Sequence, residues 1–151
     1  MKNPDRSWPL SSVILAATGV ILIGMGSYFV FLRPPLLPED LRYMNLSAVQ
    51  IEALGEVLSN WLDRVFSVMG GYMIATGVLA ATLAATSFRN RDRIAVVGVV
   101  IAGVASIAWM SAVNFIIDSE FKWFLLGIAS LWASSIGFLW LERRERRSGL
   151  I

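Results

Sequence analysis

Four long apolar runs, separated by short polar segments, dominate the pattern of the chain. They cover residues 11–32, 65–88, 94–117 and 121–141, and Lys122 at the edge of the last run is their one charged residue. A helix of about 20 apolar residues crosses the hydrocarbon core of a bilayer. The pattern therefore predicts an all-α membrane protein, an antiparallel four-transmembrane-helix bundle in which residues 1–151 form a single membrane domain.

The segment between the first two runs, residues 33–64, is the longest polar stretch and is too short to bury a core of its own. Pro38 suits the first position of a short helical turn, and Ser47 with Gln50 matches a capping box. Apolar residues then recur at helical spacing, at Leu54, Val57, Leu58, Trp61, Leu62 and Val65. We expect a short amphipathic helix on the outer surface that leads into the second span, and the alternative is a lid that gates a ligand.

The basic residues indicate the orientation. Of the 13 Lys and Arg, nine lie in the N-terminal tail, in residues 89–93 and in the C-terminal tail, whereas the other side carries four together with seven of the 11 acids. The positive-inside rule predicts a multi-pass protein with both termini in the cytoplasm and residues 33–64 on the outer side of the membrane. A cleaved signal peptide is the alternative for the first run, but that run is long for one and ends at Arg33-Pro34-Pro35.

The composition of the chain excludes several kinds of catalytic and metal-binding site. The chain is 56% hydrophobic and 16% charged, its net charge is +2, and it contains neither Cys nor His. Disulfides, thiolate nucleophiles, imidazole metal ligands and Ser-His-Asp triads are thereby excluded, and we expect no metal or other cofactor. Because the basic residues are explained by topology, nucleic acid is not an expected partner. The interiors of the spans lack the charged side chains that are typical of ion pumps and proton-coupled carriers.

Charged residues gather instead at the predicted outer rim. Arg64 and Asp118 are equally distant from the loop around Arg91, so we expect them at one membrane level as an ion pair. Asn114 precedes Asp118 by four residues and falls on the same helix face. The predicted polar notch comprises Arg42, Asp63, Arg64, Asn114, Asp118 and Glu120. It either fixes the helix register or binds a lipid headgroup or a small ligand.

Two further patterns bear on packing and lipid contact. Small residues spaced by four, such as Gly77 and Ala81, predict close helix contacts within the bundle or in a homodimer, and Gly70-Gly71 predicts a close approach or a bend. Four arginines follow the fourth run and are expected to contact anionic lipid phosphates: Arg143, Arg144, Arg146 and Arg147. Among the tryptophans, Trp8, Trp61, Trp123 and Trp140 are predicted interfacial anchors, and Trp109 and Trp132 are predicted packing residues.

Three segments carry a resemblance. Residues 35–42 (PLLPEDLR), residues 65–72 (VFSVMGGY) and Asn114-Phe115 resemble uncharacterised bacterial four-span inner-membrane proteins, and the layout is similar to that of DoxX-like families. The resemblance implies the four-span architecture and a bacterial inner membrane, so that the outer segment, residues 33–64, would lie in the periplasm. It implies no activity and no site residue.

The expected function is that of an accessory or assembly subunit, or of a protein that binds a small lipid- or quinone-type molecule. Its partners would be membrane lipids and either a larger membrane protein complex or further copies of itself. A transporter of a neutral or lipidic solute is the alternative. An enzyme is disfavoured because no catalytic constellation is recognisable. A binding protein needs a cavity between helices, which Gly70-Gly71, Tyr28, Tyr72 and Trp109 are placed to border.

Overall fold

A computed structural model of the chain describes residues 8–45 and 47–147, with the side chains of all but 48, 51–54, 146 and 147. Within this part, four helices are long and apolar enough to cross a membrane. They extend over Leu10–Phe31, Gly55–Ala85, Arg93–Ile116 and Lys122–Glu145. The predicted all-α four-helix architecture is confirmed.

The helices follow one another as α1 (Leu10–Phe31), α2 (Pro38–Met44), α3 (Ala48–Ala85), α4 (Arg93–Gly103), α5 (Trp109–Ile116) and α6 (Lys122–Arg147). A π-helical turn, Val104–Ala108, joins α4 to α5, so that these three pieces make up the third span. We call the end of the bundle where α1 begins and α6 ends the termini end. The opposite end, which carries α2, is the α2 end.

The segment between the first two spans contains the predicted short turn and the predicted helix start. Pro38 begins the predicted short turn as α2, and the predicted capping box is present, with the Gln50 N–H donating to the Ser47 hydroxyl at 3.3 Å. The helix that starts there is interrupted by a kink at Gly55 (φ 73°), a left-handed backbone that only glycine adopts without strain. Beyond the kink, the helix Gly55–Ala85 forms the second span, so α3 consists of a short helix that leads into the span and of the span itself. Trp61, near the α2 end of this helix, is exposed.

The helices pack in the order α3, α1, α6 and third span. The third span packs on α6, while α3 packs on α1 and, among the described residues, makes no extensive contact with the third span. This leaves the bundle open along one side, where α3 and α5 face each other across a gap. The order of the helices therefore creates space for a site.

Four glycines bring α1 and α3 into backbone contact. A Cβ built on Gly26 would lie 2.6 Å from the Gly70 carbonyl oxygen, and one on Gly19 would lie 2.7 Å from the Gly77 carbonyl oxygen. Small residues let helices in lipid approach closely, as predicted for Gly70 and Gly77. Other glycines of the predicted pattern, Gly71, Gly98 and Gly137, have open space beside them.

The buried core is closed at the termini end and includes Leu15, Phe88 and Leu139, which are at most 1% exposed. Trp132 is 9% exposed and its indole ring packs directly against Gly103, which confirms its predicted packing role. Trp109 is 67% exposed, so the same prediction is wrong for it. The reason is that Trp109 follows the π-helical turn on the open side of the bundle, where α3 does not cover it.

Candidate functional site

The gap between α3 and the third span holds a cavity at the α2 end. It has a volume of about 630 Å³ and is bordered by α1, α2, α3, α5 and α6. A second cavity of about 450 Å³ continues it between α3 and the third span. The two share a wall made of Met69, Met73, Met110, Val113 and Asn114. The two cavities are therefore adjacent, and we call them together the inter-helix cavity.

The walls of the inter-helix cavity are mainly apolar and adaptable. Methionine supplies four of the lining residues, Met25, Met69, Met73 and Met110. Its flexible thioether side chain fits irregular apolar ligands. The three aromatic residues that were predicted to border a cavity do line it: Tyr28 near α2, and Tyr72 and Trp109 along the open side. The predicted contribution of Gly70-Gly71 is absent from these walls, because Gly70 packs against α1.

Arg33 lies at the α2 end of the cavity and is already paired. Its guanidinium donates to the Asp40 carboxylate at 3.1 Å, and its side chain is only 6% exposed. The guanidinium carbon also lies 3.4 Å from the centroid of the Phe66 ring, within range of a cation–π contact. The Asp40 carboxylate additionally accepts the Leu37 N–H at 2.9 Å. This pair therefore fixes α2 to the end of α1.

Glu39 is a buried carboxyl group on the cavity wall. It is 3% exposed and accepts one hydrogen bond from a side chain, from the Ser119 hydroxyl at 3.2 Å. Ser119 follows α5, and its own position is fixed because its hydroxyl accepts the Phe121 N–H at 3.1 Å. Among the residues that the structure describes, no Lys or Arg pairs with Glu39. A buried carboxyl group with one side-chain hydrogen bond thus lies at the head of an apolar cavity.

Asn114 is the second polar group that faces this space from the third span. It is half-buried, and its side-chain nitrogen donates to the Met110 carbonyl oxygen at 2.9 Å. Its side-chain oxygen accepts no hydrogen bond from the described residues. The amide oxygen is thus available to a bound molecule as an acceptor.

The predicted polar notch is only partly assembled. Arg42 lies 3.7 Å from the Glu120 carboxylate and donates to the Asp118 carbonyl oxygen at 3.4 Å. Asp118 pairs with Lys122 and not with Arg64, so the predicted ion pair is wrong. Arg64 belongs to α3, which packs on α1, whereas Asp118 follows α5, which packs on α6.

The remaining residues of the predicted notch lie apart. Asp63 and Arg64 are exposed on α3 and form no ion pair with any described residue. Asn114 lines the inter-helix cavity instead of joining the charges of the rim. The charged residues of the predicted notch therefore lie on the surface, whereas the candidate site is the inter-helix cavity.

The ion pair at the rim affects the acidity of Asp118. The Lys122 ammonium donates a hydrogen bond to the Asp118 carboxylate and, with a smaller contribution from Arg42, holds the pKa of that carboxyl below its ordinary value. The Asp118 side chain is 75% exposed, so the pair is screened by water. It orders the connection between α5 and α6 without belonging to the cavity.

The termini end carries a second set of charged contacts that the sequence did not reveal. The Glu142 carboxylate accepts the Ser11 N–H at 3.1 Å and the Ser11 hydroxyl at 2.8 Å, and it pairs with Arg91 at 3.1 Å. Arg143 donates to the Arg91 carbonyl oxygen at 2.9 Å. These contacts join α1, α6 and the loop before α4.

The arginines expected to bind lipid phosphates are accordingly divided. Arg143 is used in the contact with Arg91, and Arg144 is exposed. The side chains of Arg146 and Arg147 lie outside the described residues. Contact between the exposed basic residues and lipid phosphates stays a prediction.

Sequence reasoning missed Arg33, Glu39, Asp40 and Ser119 as cavity residues. The signal for the acids was present, since two carboxyl groups directly follow Pro38, but it was interpreted only as the start of a helix. Their role depends on residues far along the chain, Ser119 above all. Within the described part of the chain, no three acidic side chains come close enough together to hold a metal ion.

Comparisons with protein-family models, with curated proteins and with solved structures found no match for this chain. The chemistry of the inter-helix cavity is therefore the guide to its function.

Proposed function

We propose that this chain is a multi-pass protein of a bacterial inner membrane that binds one lipidic molecule in the inter-helix cavity, alone or as a subunit of a larger membrane complex. The observation that carries the proposal is the cavity itself, with apolar walls and a buried carboxyl group at one end. Its main volume of about 630 Å³ falls within the range of small-molecule sites, roughly 300 to 1,000 Å³.

The open side of the bundle supports a ligand that arrives from the bilayer. Tyr72 and Trp109 line the cavity and are 73% and 67% exposed, so they form a rim that faces outward between α3 and the third span. In a membrane this rim faces lipid chains. A hydrophobic molecule would enter laterally, without crossing water.

Binding is better supported than transport. The core at the termini end is closed by Leu15, Phe88 and Leu139, and the contacts of Glu142 join the helix ends there. A carrier would need a second opening at this end. We therefore propose a binding or accessory role, and the positive-inside rule assigns the α2 end to the periplasm.

The proposal is tested by filling the cavity. Val113 lines both parts of it, so Val113→Trp should displace a bound lipid. Val97→Trp is the matched control, since Val97 belongs to the same span and is 55% exposed. The wild type and both variants would be purified in native nanodiscs, and their bound lipid would be counted by native mass spectrometry.

We expect a retained lipidic molecule in the wild type and in Val97→Trp, and its loss in Val113→Trp. A thermal unfolding curve for each variant shows that it is folded. Equal lipid retention by the two folded variants would contradict the proposed site.

A further inference from the structure

The polar end of the inter-helix cavity is asymmetric in its hydrogen-bonding groups. From this asymmetry we infer that the bound molecule is an amphiphile whose head group donates hydrogen bonds and carries no negative charge. A long-chain alcohol and a long-chain amine represent this class. This inference rests on the lipid-binding function proposed above. The inference depends on three residues that line the cavity, Arg33 and Glu39 at its α2 end and Asn114 in the wall shared by its two parts.

Charge is the first reason. Arg33 is the cation among the described residues that line the cavity, and two carboxyl groups, Glu39 and Asp40, line it as well. The guanidinium is committed to Asp40 at 3.1 Å and is covered by Phe66. Its charge is therefore balanced by Asp40. An anionic head such as a phosphate would find no unpaired cation among the described residues that line the cavity, and it would lie near the Glu39 carboxyl group.

Hydrogen-bonding capacity is the second reason. A carboxylate has about four acceptor positions, and the Ser119 hydroxyl occupies one at Glu39. Burying such a group without partners is costly, so a ligand that supplies donors is favoured. Asn114 reinforces the preference, because its nitrogen is bound to the Met110 carbonyl and its oxygen is the free atom. The Tyr28 hydroxyl can donate or accept and does not discriminate between heads.

The same reasoning disfavours heads that only accept hydrogen bonds. A ketone, a methyl ester or an oxidised quinone would place carbonyl oxygens beside the Glu39 carboxylate and the Asn114 oxygen. These atoms repel one another and leave the carboxylate unsatisfied. The cavity thus selects its ligand by the head group, whereas its methionine-rich walls tolerate different apolar chains.

The test uses four probes of one chain length that differ only in the head group: an alcohol, a primary amine, a phosphate and a methyl ester. Each is added to the purified protein in detergent, and retention is measured by native mass spectrometry. Because a hydrogen bond to a charged group is strong, we expect the alcohol and the amine to bind about tenfold or more tightly than the phosphate and the ester. Equal or preferred binding of the phosphate or the ester would overturn the inference.

The variant Glu39→Gln removes the charge and keeps the shape. It should weaken binding of the amine about tenfold and that of the alcohol less. Glu120→Gln is the control, since Glu120 lies at the same end with its side chain 68% exposed. Unchanged binding of the amine by Glu39→Gln would also contradict the inference, and the order of the four probes in the wild type tests it without any variant.

The design separates the two proposals. If all four probes bind equally and Val113→Trp abolishes their binding, the cavity is a lipid site and only the head-group preference is refuted. If no probe binds better to the wild type than to Val113→Trp, the proposed function itself fails, and the inference fails with it.

Discussion

The contact between α1 and α3 allows one prediction to be developed in detail. Gly70 and Gly71 are neighbours on α3, but they face opposite environments. A Cβ on Gly70 would lie 2.6 Å from the Gly26 carbonyl oxygen and 2.9 Å from the Phe29 Cβ, whereas a Cβ on Gly71 would have nothing within 4 Å. The two alanine substitutions therefore add the same methyl group to the same helix, once against backbone and once into open space.

The magnitude follows from these distances. Carbon atoms in contact prefer a separation of about 3.5 to 4.0 Å, so α1 and α3 must separate by roughly 1 Å to admit the methyl group. Overpacking of this kind costs about 1 to 3 kcal/mol. Alanine recovers about 0.5 to 1 kcal/mol of helix propensity relative to glycine. We expect Gly70→Ala to lower the free energy of unfolding by about 1 to 2 kcal/mol and Gly71→Ala to leave it equal or slightly higher.

The assay is reversible unfolding of the purified protein in mixed micelles, titrated with a denaturing detergent and followed by tryptophan fluorescence. Gly26→Ala, on the other side of the contact, should reproduce the loss, because its Cβ would lie 2.6 Å from the Gly70 carbonyl oxygen. Equal stability of Gly70→Ala and Gly71→Ala would refute the reasoning and show that α1 and α3 do not pack through these glycines.

Three further predictions concern the two ends of the bundle. Glu142→Ala removes the partner of Arg91 and of the Ser11 N–H, and it should lower the free energy of unfolding by about 2 kcal/mol. Glu56 is exposed, so the control Glu56→Ala should leave the free energy of unfolding unchanged, and thermal unfolding of the two variants measures the difference. Since its folded-state pKa is lowered, Asp118 stabilises the protein above about pH 4, and this contribution is lost as the pH falls through the lowered value. In Lys122→Met the pKa of the Asp118 carboxyl should rise toward its ordinary value in a carbon-detected NMR titration, and an unchanged pKa would rule out the pair. A Cys at Ser47 should react with an impermeant thiol reagent on intact cells, and reaction only after lysis would reverse the proposed orientation.

The sequence by itself determined the features that depend on neighbouring residues. Four spans were predictable because a run of about 20 apolar residues satisfies its own backbone as a helix in lipid, whatever it packs against. The capping box of Ser47 and Gln50 and the start of α2 at Pro38 were predictable for the same reason, since each involves residues within one helical turn. The close packing of Gly77 was predictable from its spacing of four residues from Ala81.

The order of the helices was decided by the tertiary structure alone. All four spans are apolar, with mean hydropathies of 1.6 to 2.2, and lipid does not favour one apolar neighbour over another. The glycines of α3 pack on α1 because Gly19 and Gly26 lie opposite them and also lack side chains. This match involves both helices, so it cannot be predicted from either one alone. The Arg64–Asp118 prediction failed at this step, since equal distance from a loop gives equal depth but not the same side of the bundle.

The candidate site likewise depends on contacts between distant parts of the chain. In the sequence, Glu39 has the pattern of an ordinary acid in the first turn of a helix. Its place in the site depends on Ser119, 80 residues further along the chain, whose hydroxyl donates to the Glu39 carboxyl oxygen at 3.2 Å. The π-helical turn that precedes Trp109 and the gap between α3 and α5 have no local signature. A cavity is the space that packing leaves unfilled, so only the three-dimensional arrangement of all the helices determines where it lies and which side chains face it.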